Sequence, residues 1–313
     1  MKKVLFGITI LLLSSSAYAQ QDAQWSLNAF NRLSTNPGVA GSNNAICANL
    51  LGRNQWVQFD GRPATYQFSV HGPLSQMGVP IGLGLTVSQD QIGRSTSLGS
   101  RVAVAYQKGL GPGTIGIGVA GGIISYKLGA FKAGEAIDDP ANDPTIPTTA
   151  ISSVKGDFDL GIYYKIPNQL YVGFSSTHLN QADLSVVYEV KRHYYIIAGY
   201  EKIIGANLVL KPNVWVKSDA ASAQIDINLL AELNNMIVGG VSYRYQDAIV
   251  LMAGLKMPLG PGNAKLMYAY DINTSQLRSY NSGSHEILLG YCFNIKNPAD
   301  LAKHVNPRFM HAE

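Results

Sequence analysis

Two cysteines, six histidines and one glycine-rich run are the residues from which chemistry could be built. The run GIGVAG, Gly116 to Gly121, matches the spacing G-x-G-x-x-G, in which a helix opening at the last glycine aims its N-terminus at a pyrophosphate. Here GGIISYK follows, and it reads as continuing strand. No helix is available, so Gly116 and Gly118 are expected to form a small-residue face where the wall meets internal chain. IDDPANDP places Asp138, Asp139 and Asp143 near two prolines, but not at the spacing of a calcium loop. It reads as an acidic loop tip. The histidines form no pair at metal spacing and no Ser/His/Asp set stands out. Neither catalysis nor a metal or cofactor is expected.

Cys47 and Cys292 pose a different question, because they lie near opposite ends of the chain and need a scaffold to bring them together. That scaffold can be read from export and alternation. MKKVLFGITILLLSSSAYAQ carries Lys2 and Lys3, an apolar run and the small-x-small cut site Ala17-Tyr18-Ala19, the order of a secretory leader removed before Gln20. No later segment holds the roughly 18 consecutive apolar residues of a membrane helix. An exported chain that crosses a membrane without such a helix must do so as a closed barrel, since only closure leaves no unpaired strand edge.

Period-two alternation supports the barrel. In TYQFSV, Tyr66, Phe68 and Val70 oppose Thr65, Gln67 and Ser69; in SAQIDINLLAEL, Ile225, Ile227 and Leu229 oppose Gln224, Asp226 and Asn228. Leu266, Tyr268, Tyr270 and Ile272 likewise oppose Lys265, Met267 and Asp271. Turn signals between such runs predict an all-β transmembrane antiparallel β-barrel of about 14 strands. They fall at 45–54, 63–71, 80–88, 97–107, 113–126, 154–165, 169–178, 189–201, 206–217, 222–233, 235–246, 248–258, 263–273 and 284–293. With a periplasmic N-terminus the even-numbered connections should be short, and KGLGPG, IPN, KIIGA, LNN and PLGPG are. The odd-numbered ones include KLGAFKAGEAIDDPANDPTIPTTAIS and NTSQLRSYNSGS, and the segment 127–153 suits an outer recognition loop.

Composition agrees. Charged residues make up 14%, against about 25% in ordinary soluble domains, and 32 Gly and 17 Tyr fit turns and interfacial aromatics. The basic residues are dispersed and nearly balanced by acidic ones, which excludes a nucleic-acid partner.

Closure makes the first and last strands neighbours. By alternation Cys47 shares a face with Asn49, and Cys292 with Glu286, so both face the lumen near the inner rim. A disulfide across the seam and two free thiols both remain open. Arg101, Gln107, Asp226 and Lys265 also face inward, lining a pore or filling a plugged interior.

The segments QDAQWSLNAFNRLSTNPGVAGS, GRNQWVQFDGRPATYQFSVHGPL and IGLGLTVSQDQIGRSTSLGSRVAVAY resemble the PorP/SprF family of type IX secretion system outer-membrane proteins. Asn31, Asn36, Pro37, Ala40 and Gly41 match its opening motif. Arg53, Asn54, Gln55, Trp56, Gly61 and Pro63 match its RNQW segment, and Asn306, Pro307, Arg308 and Phe309 its closing motif. Gly38-Val39 departs from the Ala-Tyr common there. The resemblance implies a cell outer-membrane location in Bacteroidetes, contact with periplasmic type IX secretion subunits and with a secreted surface protein, and in some members gliding motility. Asn36, Pro37, Arg53, Trp56, Pro307, Arg308 and Phe309 are the partner-binding candidates it supplies.

The resulting plan is a signal peptide over 1–19, an N-terminal segment over 20–44, a barrel over 45–293 and a periplasmic tail over 294–313. Trp25, Leu27, Phe30 and Leu33 make the N-terminal segment too apolar for a free linker, so it is expected in the lumen or at the periplasmic mouth. The tail, with Leu301 and Val305 four apart and Phe309 beside Arg308, is expected to dock a periplasmic subunit. A porin or fatty-acid-channel-like transporter is the alternative function.

Overall fold

A computed structural model of the protein describes residues 22–74, 79–131, 147–185 and 188–295. Alternating apolar and polar residues place fourteen antiparallel strands in one sheet: β1 (Ala45–Asn54), β2 (Ala64–Pro73), β3 (Ile81–Ile92), β4 (Ser95–Leu110), β5 (Gly113–Leu128), β6 (Ile151–Ile166) and β7 (Leu170–Thr177). There follow β8 (His193–Tyr200, resumed at Lys202–Ile204), β9 (Leu208–Ser218), β10 (Ala223–Leu233), β11 (Ile237–Arg244), β12 (Ala248–Leu259), β13 (Gly262–Asn273) and β14 (Ser284–Asn294). Each pairs with the next, and β1 pairs with β14, with Leu50 opposite Leu289 and Arg53 opposite Glu286. The sheet is closed and no edge is left for lipid to meet.

The outer surface of the wall is apolar, carrying Tyr66, Phe68, Ile117, Val119, Phe158, Leu160, Ile227 and Leu229, whereas Thr65, Gln67, Ser69, Asp226 and Asn228 on the same strands are buried inside. This is an outer-membrane barrel. Connections at one end are two or three residues long apart from 74–80, and those at the other include the long segments 55–63, 129–150, 178–192 and 274–283. The long-connection end is the outer one. Three outer connections are tight as well: Gly93–Arg94, 219–222 and 245–247. At Gly93–Arg94 the strands continue as paired ladder beyond the expected ends, since polar residues such as Ser88, Asp90, Ser95 and Ser97 keep their backbone pairing where lipid no longer selects the side chains.

One element escapes the alternation. The connection after β7 contains a short hairpin, Asp183–Ser185 with Tyr188–Glu189, and it buries Leu184 and Val190 against Ile124 and Tyr126 of β5. Tail residues 296–313, the leader 1–19 and the acidic tip 138–143 lie outside the described residues.

Candidate functional site

The lumen is filled by the chain's own N-terminal segment, residues 22–44. Three single-turn 3₁₀ pieces, Asn28–Phe30, Arg32–Ser34 and Pro37–Val39, carry it from the outer half of the barrel down to the start of β1. Its upper apolar residues, Trp25, Leu27 and Ala29, pack on Leu51, Leu230, Val250, Met252, Met267 and Leu288 of β1 and β10–β14. Lower down the segment crosses the lumen, and Leu33, Val39 and Ala40 pack on Ala103, Ala105, Ala120, Tyr163 and Tyr171 of β4–β7. Glycine makes the crossing close. A Cβ on Gly116 would lie 2.2 Å from the carbonyl oxygen of Gly38, and one on Gly118 2.5 Å from the carbonyl carbon of Pro37, so the GIGVAG run is the seat of the plug.

Polar anchors fix the plug at both levels. At the top, Asp22 Oδ1 lies 3.0 Å from His178 Nε2, whose Nδ1 is 2.9 Å from Asp157. Tyr195 donates its hydroxyl to the same Asp22 carboxylate, and Lys217 donates to the Asp22 carbonyl. Burial by itself would strip the proton from His178, but the Asp22 and Asp157 carboxylates reverse this and raise its pKa to about 10. Burial also opposes ionisation of Asp22, yet His193, His178 and Lys217 hold it well below the usual carboxylate range.

Beneath lies a buried charge network. Arg53 donates to Asp271 at 2.7 Å, to Glu286 at 3.0 Å and to Ser26 Oγ at 2.8 Å. Arg244 donates to Asp271 at 2.9 Å, to Asp226 at 3.2 Å and to Ser26 Oγ at 3.0 Å. Glu286 accepts the backbone N–H groups of Ser26 and Leu27 at 2.7 and 2.9 Å, and Asn28 donates to Asp226 at 3.0 Å. Two guanidinium groups, three carboxylates and the backbone of the plug thus pair with one another, leaving only the Arg53 Nε of these guanidinium nitrogens without a partner among the described residues, and such pairing is the condition under which buried charge is tolerated.

Near the inner mouth, the side chain of Asn36 accepts from the Gly38 N–H and donates to the carbonyls of Ile162 and Phe174. Gln107 donates to the Gly38 and Ala40 carbonyls, Lys165 donates to Asn43, and the Gly41 N–H donates to His71. Cys47 and Cys292 are bonded across the β1–β14 seam, with Cα atoms 4.0 Å apart.

Asn36, Pro37 and Arg53, expected to meet a partner, are buried and hold the plug to the wall. Trp56 separates from nearby Arg53 and stands half-buried on the outer rim, its backbone N–H donating to the Ser284 hydroxyl and its ring edge-on to Phe59. Pro307, Arg308 and Phe309 lie outside the described residues. Arg101 pairs with Asp159 and Asp157, and Asp226 and Lys265 also face the plug, so these residues fill an interior rather than line an open pore. Alternation alone does not group Ser26 with Arg244, Asp271 and Glu286, although it places four charges, Arg53 with Arg244, Asp271 and Glu286, on inward positions of β1, β11, β13 and β14.

Solved structures with this architecture include the Pseudomonas putida toluene transporter TodX, 10% identical over 90% of this chain and 95% of that one, with a TM-score of 0.52. A TodX ΔS2S3 mutant, titled a monoaromatic hydrocarbon channel, gives the same TM-score at 12% identity over 90% and 96%. The Acinetobacter baumannii outer membrane protein Omp33 matches at 10% identity over 80% and 99%, with a TM-score of 0.43. At these identities the likeness to the two TodX structures is one of fold. A search of curated protein sequences finds no match. The family model described as type IX secretion system membrane protein PorP/SprF, however, matches residues 17–291, which takes in the plug and nearly the whole barrel, and the chain belongs to that family.

Proposed function

We propose that this barrel is a non-enzymatic docking component of the type IX secretion system, binding a secreted surface protein at its outer rim and periplasmic secretion subunits at its inner end. The observation that carries the reading is the plug. A lumen occupied by chain that is anchored from Asp22 to Asn43 suits a scaffold better than a solute channel. Family membership supplies the secretion context. The outer loops offer contact residues: Trp56 at φ 53° and Gln58 at φ 77° hold segment 55–63 in a left-handed backbone shape, with Phe59 exposed. Backbone bonds between Val57 and residues 282–283 join this loop to 274–283, where Tyr280 is exposed.

Affinity capture of the tagged barrel from membranes, followed by mass spectrometry, tests the reading. Periplasmic secretion subunits and one surface protein are expected, and Trp56→Ala is expected to lose the surface protein while keeping the subunits. Removing the gene should abolish display of that surface protein. Large, steady single-channel conductance, or loss of growth on one nutrient instead, would establish the channel alternative.

A further inference from the structure

The diagonal path of the plug leaves space on the side it vacates. In the inner half, between Phe30–Leu33 and strands β8–β13, is a cavity of about 200 Å³. Its rim carries Lys211, Lys256, Glu201 and Glu232, and these neutralise one another: Lys211 lies 3.4 Å from Glu201 and 2.9 Å from Glu232, and Lys256 lies 2.6 Å from Glu232.

Two further cations, Arg32 on the plug and Lys265 on β13, have no such partner. Among the described residues, neither Arg32 nor Lys265 has a carboxylate within ion-pair distance. Arg32 lies flat over the Tyr171 ring at 3.7 Å and donates to the Tyr163 hydroxyl, but its Nε meets no acceptor. The Lys265 ammonium sits 5.5 Å from the centre of the Phe30 ring. Aromatic faces hold both cations in place without neutralising them.

A second, independent observation concerns two amides that line the same cavity. Asn31, 1% exposed, uses its oxygen to accept from Gln67 and leaves Nδ2 without an acceptor. Asn49, 8% exposed, leaves Oδ1 without a donor. Buried side-chain polar groups are normally satisfied. Here a donor and an acceptor lie unpartnered in the packing behind two positive charges that have no ion pair and a set of aromatic rings.

We propose that this cavity is a binding site for a small organic anion, a carboxylate or phosphate ester. Arg32 and Lys265 supply the charge that meets the anionic head. Phe30 and Tyr171 cover the carbon frame. The cavity volume suits a molecule of this size and excludes a folded chain.

Calorimetric titration of the full-length barrel in detergent at 0.15 M salt, with malate, glycerol 3-phosphate and glycerol as probes, tests the site. Saturable binding of at least one anion and none of glycerol is expected. Malate alone would identify the carboxylate class, and glycerol 3-phosphate alone the phosphate class. Lys265→Met is expected to weaken binding tenfold or more. Asn49→Asp should do the same without changing size, because Asn49 Oδ1 and the Lys265 chain both border Gly290 and the new carboxylate would occupy the cation. No saturable anion binding, or glycerol binding as tight as malate, overturns the proposal on the unaltered chain. So does undiminished binding in both variants, each first shown to be folded by its heat-modifiable gel mobility.

Discussion

Asp22 and His178, 156 positions apart, are joined by a 3.0 Å contact that fastens the start of the plug to the outer end of β7. The pair gives the plug a pH window. His178 titrates near 10 in the folded protein against an ordinary 6.5, so its contribution is full below pH 6.5, shrinks above that and is gone beyond pH 10. Asp22 is depressed below its ordinary 3.8, so its contribution is present above that value and is lost as the pH falls through its folded pKa. In a Trp56→Phe, Trp215→Phe background, emission from buried Trp25 should therefore stay constant near neutrality and shift red in strong acid and above pH 10. His178→Asn should remove the alkaline transition.

Arg53 makes the second prediction. Its guanidinium is 2% exposed and answers two carboxylates that are no more exposed, Asp271 and Glu286. Arg53→Met leaves Glu286 without a cation and Asp271 with Arg244 alone in the buried interior, where breaking a buried pair costs about 3–5 kcal/mol. Urea titration of the folded, heat-modifiable band should show a loss of that size. Adding Asp271→Asn and Glu286→Gln to Arg53→Met should recover part of it.

How much of this was legible in the sequence depends on which face of a strand is read. TYQFSV and SAQIDIN alternate cleanly because lipid lies on one side and polar interior on the other, and their strands emerged within a residue or two. Met252, Met267 and Leu288 do not, because they face inward yet are apolar. They pack on Trp25 and Leu27, so the plug rewrites the pattern of the strands it touches. Asn36, Pro37 and Arg53 drew notice as family motif residues, but nothing local in a sequence says whether such a residue faces a partner or its own chain. Their burial does. The hairpin after β7 was missed because two- and three-residue strands carry no period.

The seam disulfide gives a third expectation. Cys47 and Cys292 close a covalent ring through 245 positions of sequence separation, tying together the two strands whose pairing completes the barrel. Thiol titration of the denatured, unreduced protein should find neither thiol free. Reduction, or Cys47→Ser with Cys292→Ser, should leave the barrel folded but lower its unfolding free energy by about 2–4 kcal/mol, the typical contribution of a disulfide.

A fourth prediction separates the wall from what fills it. At Gly82 a Cβ would lie 2.1 Å from the carbonyl oxygen of Ala40 and 2.4 Å from its carbonyl carbon, and both are backbone atoms that cannot swing aside. Gly82→Val therefore unseats the lower plug while adding a β-branched residue that a strand accepts readily. The ladder from Ile81 to Ile92 on β2 and β4 does not depend on that side chain, so the barrel should still insert and keep its heat-modifiable mobility. What should change is the lumen: planar-bilayer recording should show the unaltered protein closed and the Gly82→Val variant conducting. A variant as closed as the parent would mean that the hairpin after β7, which buries Leu184 and Val190 against Ile124 and Tyr126, seals the barrel without the plug.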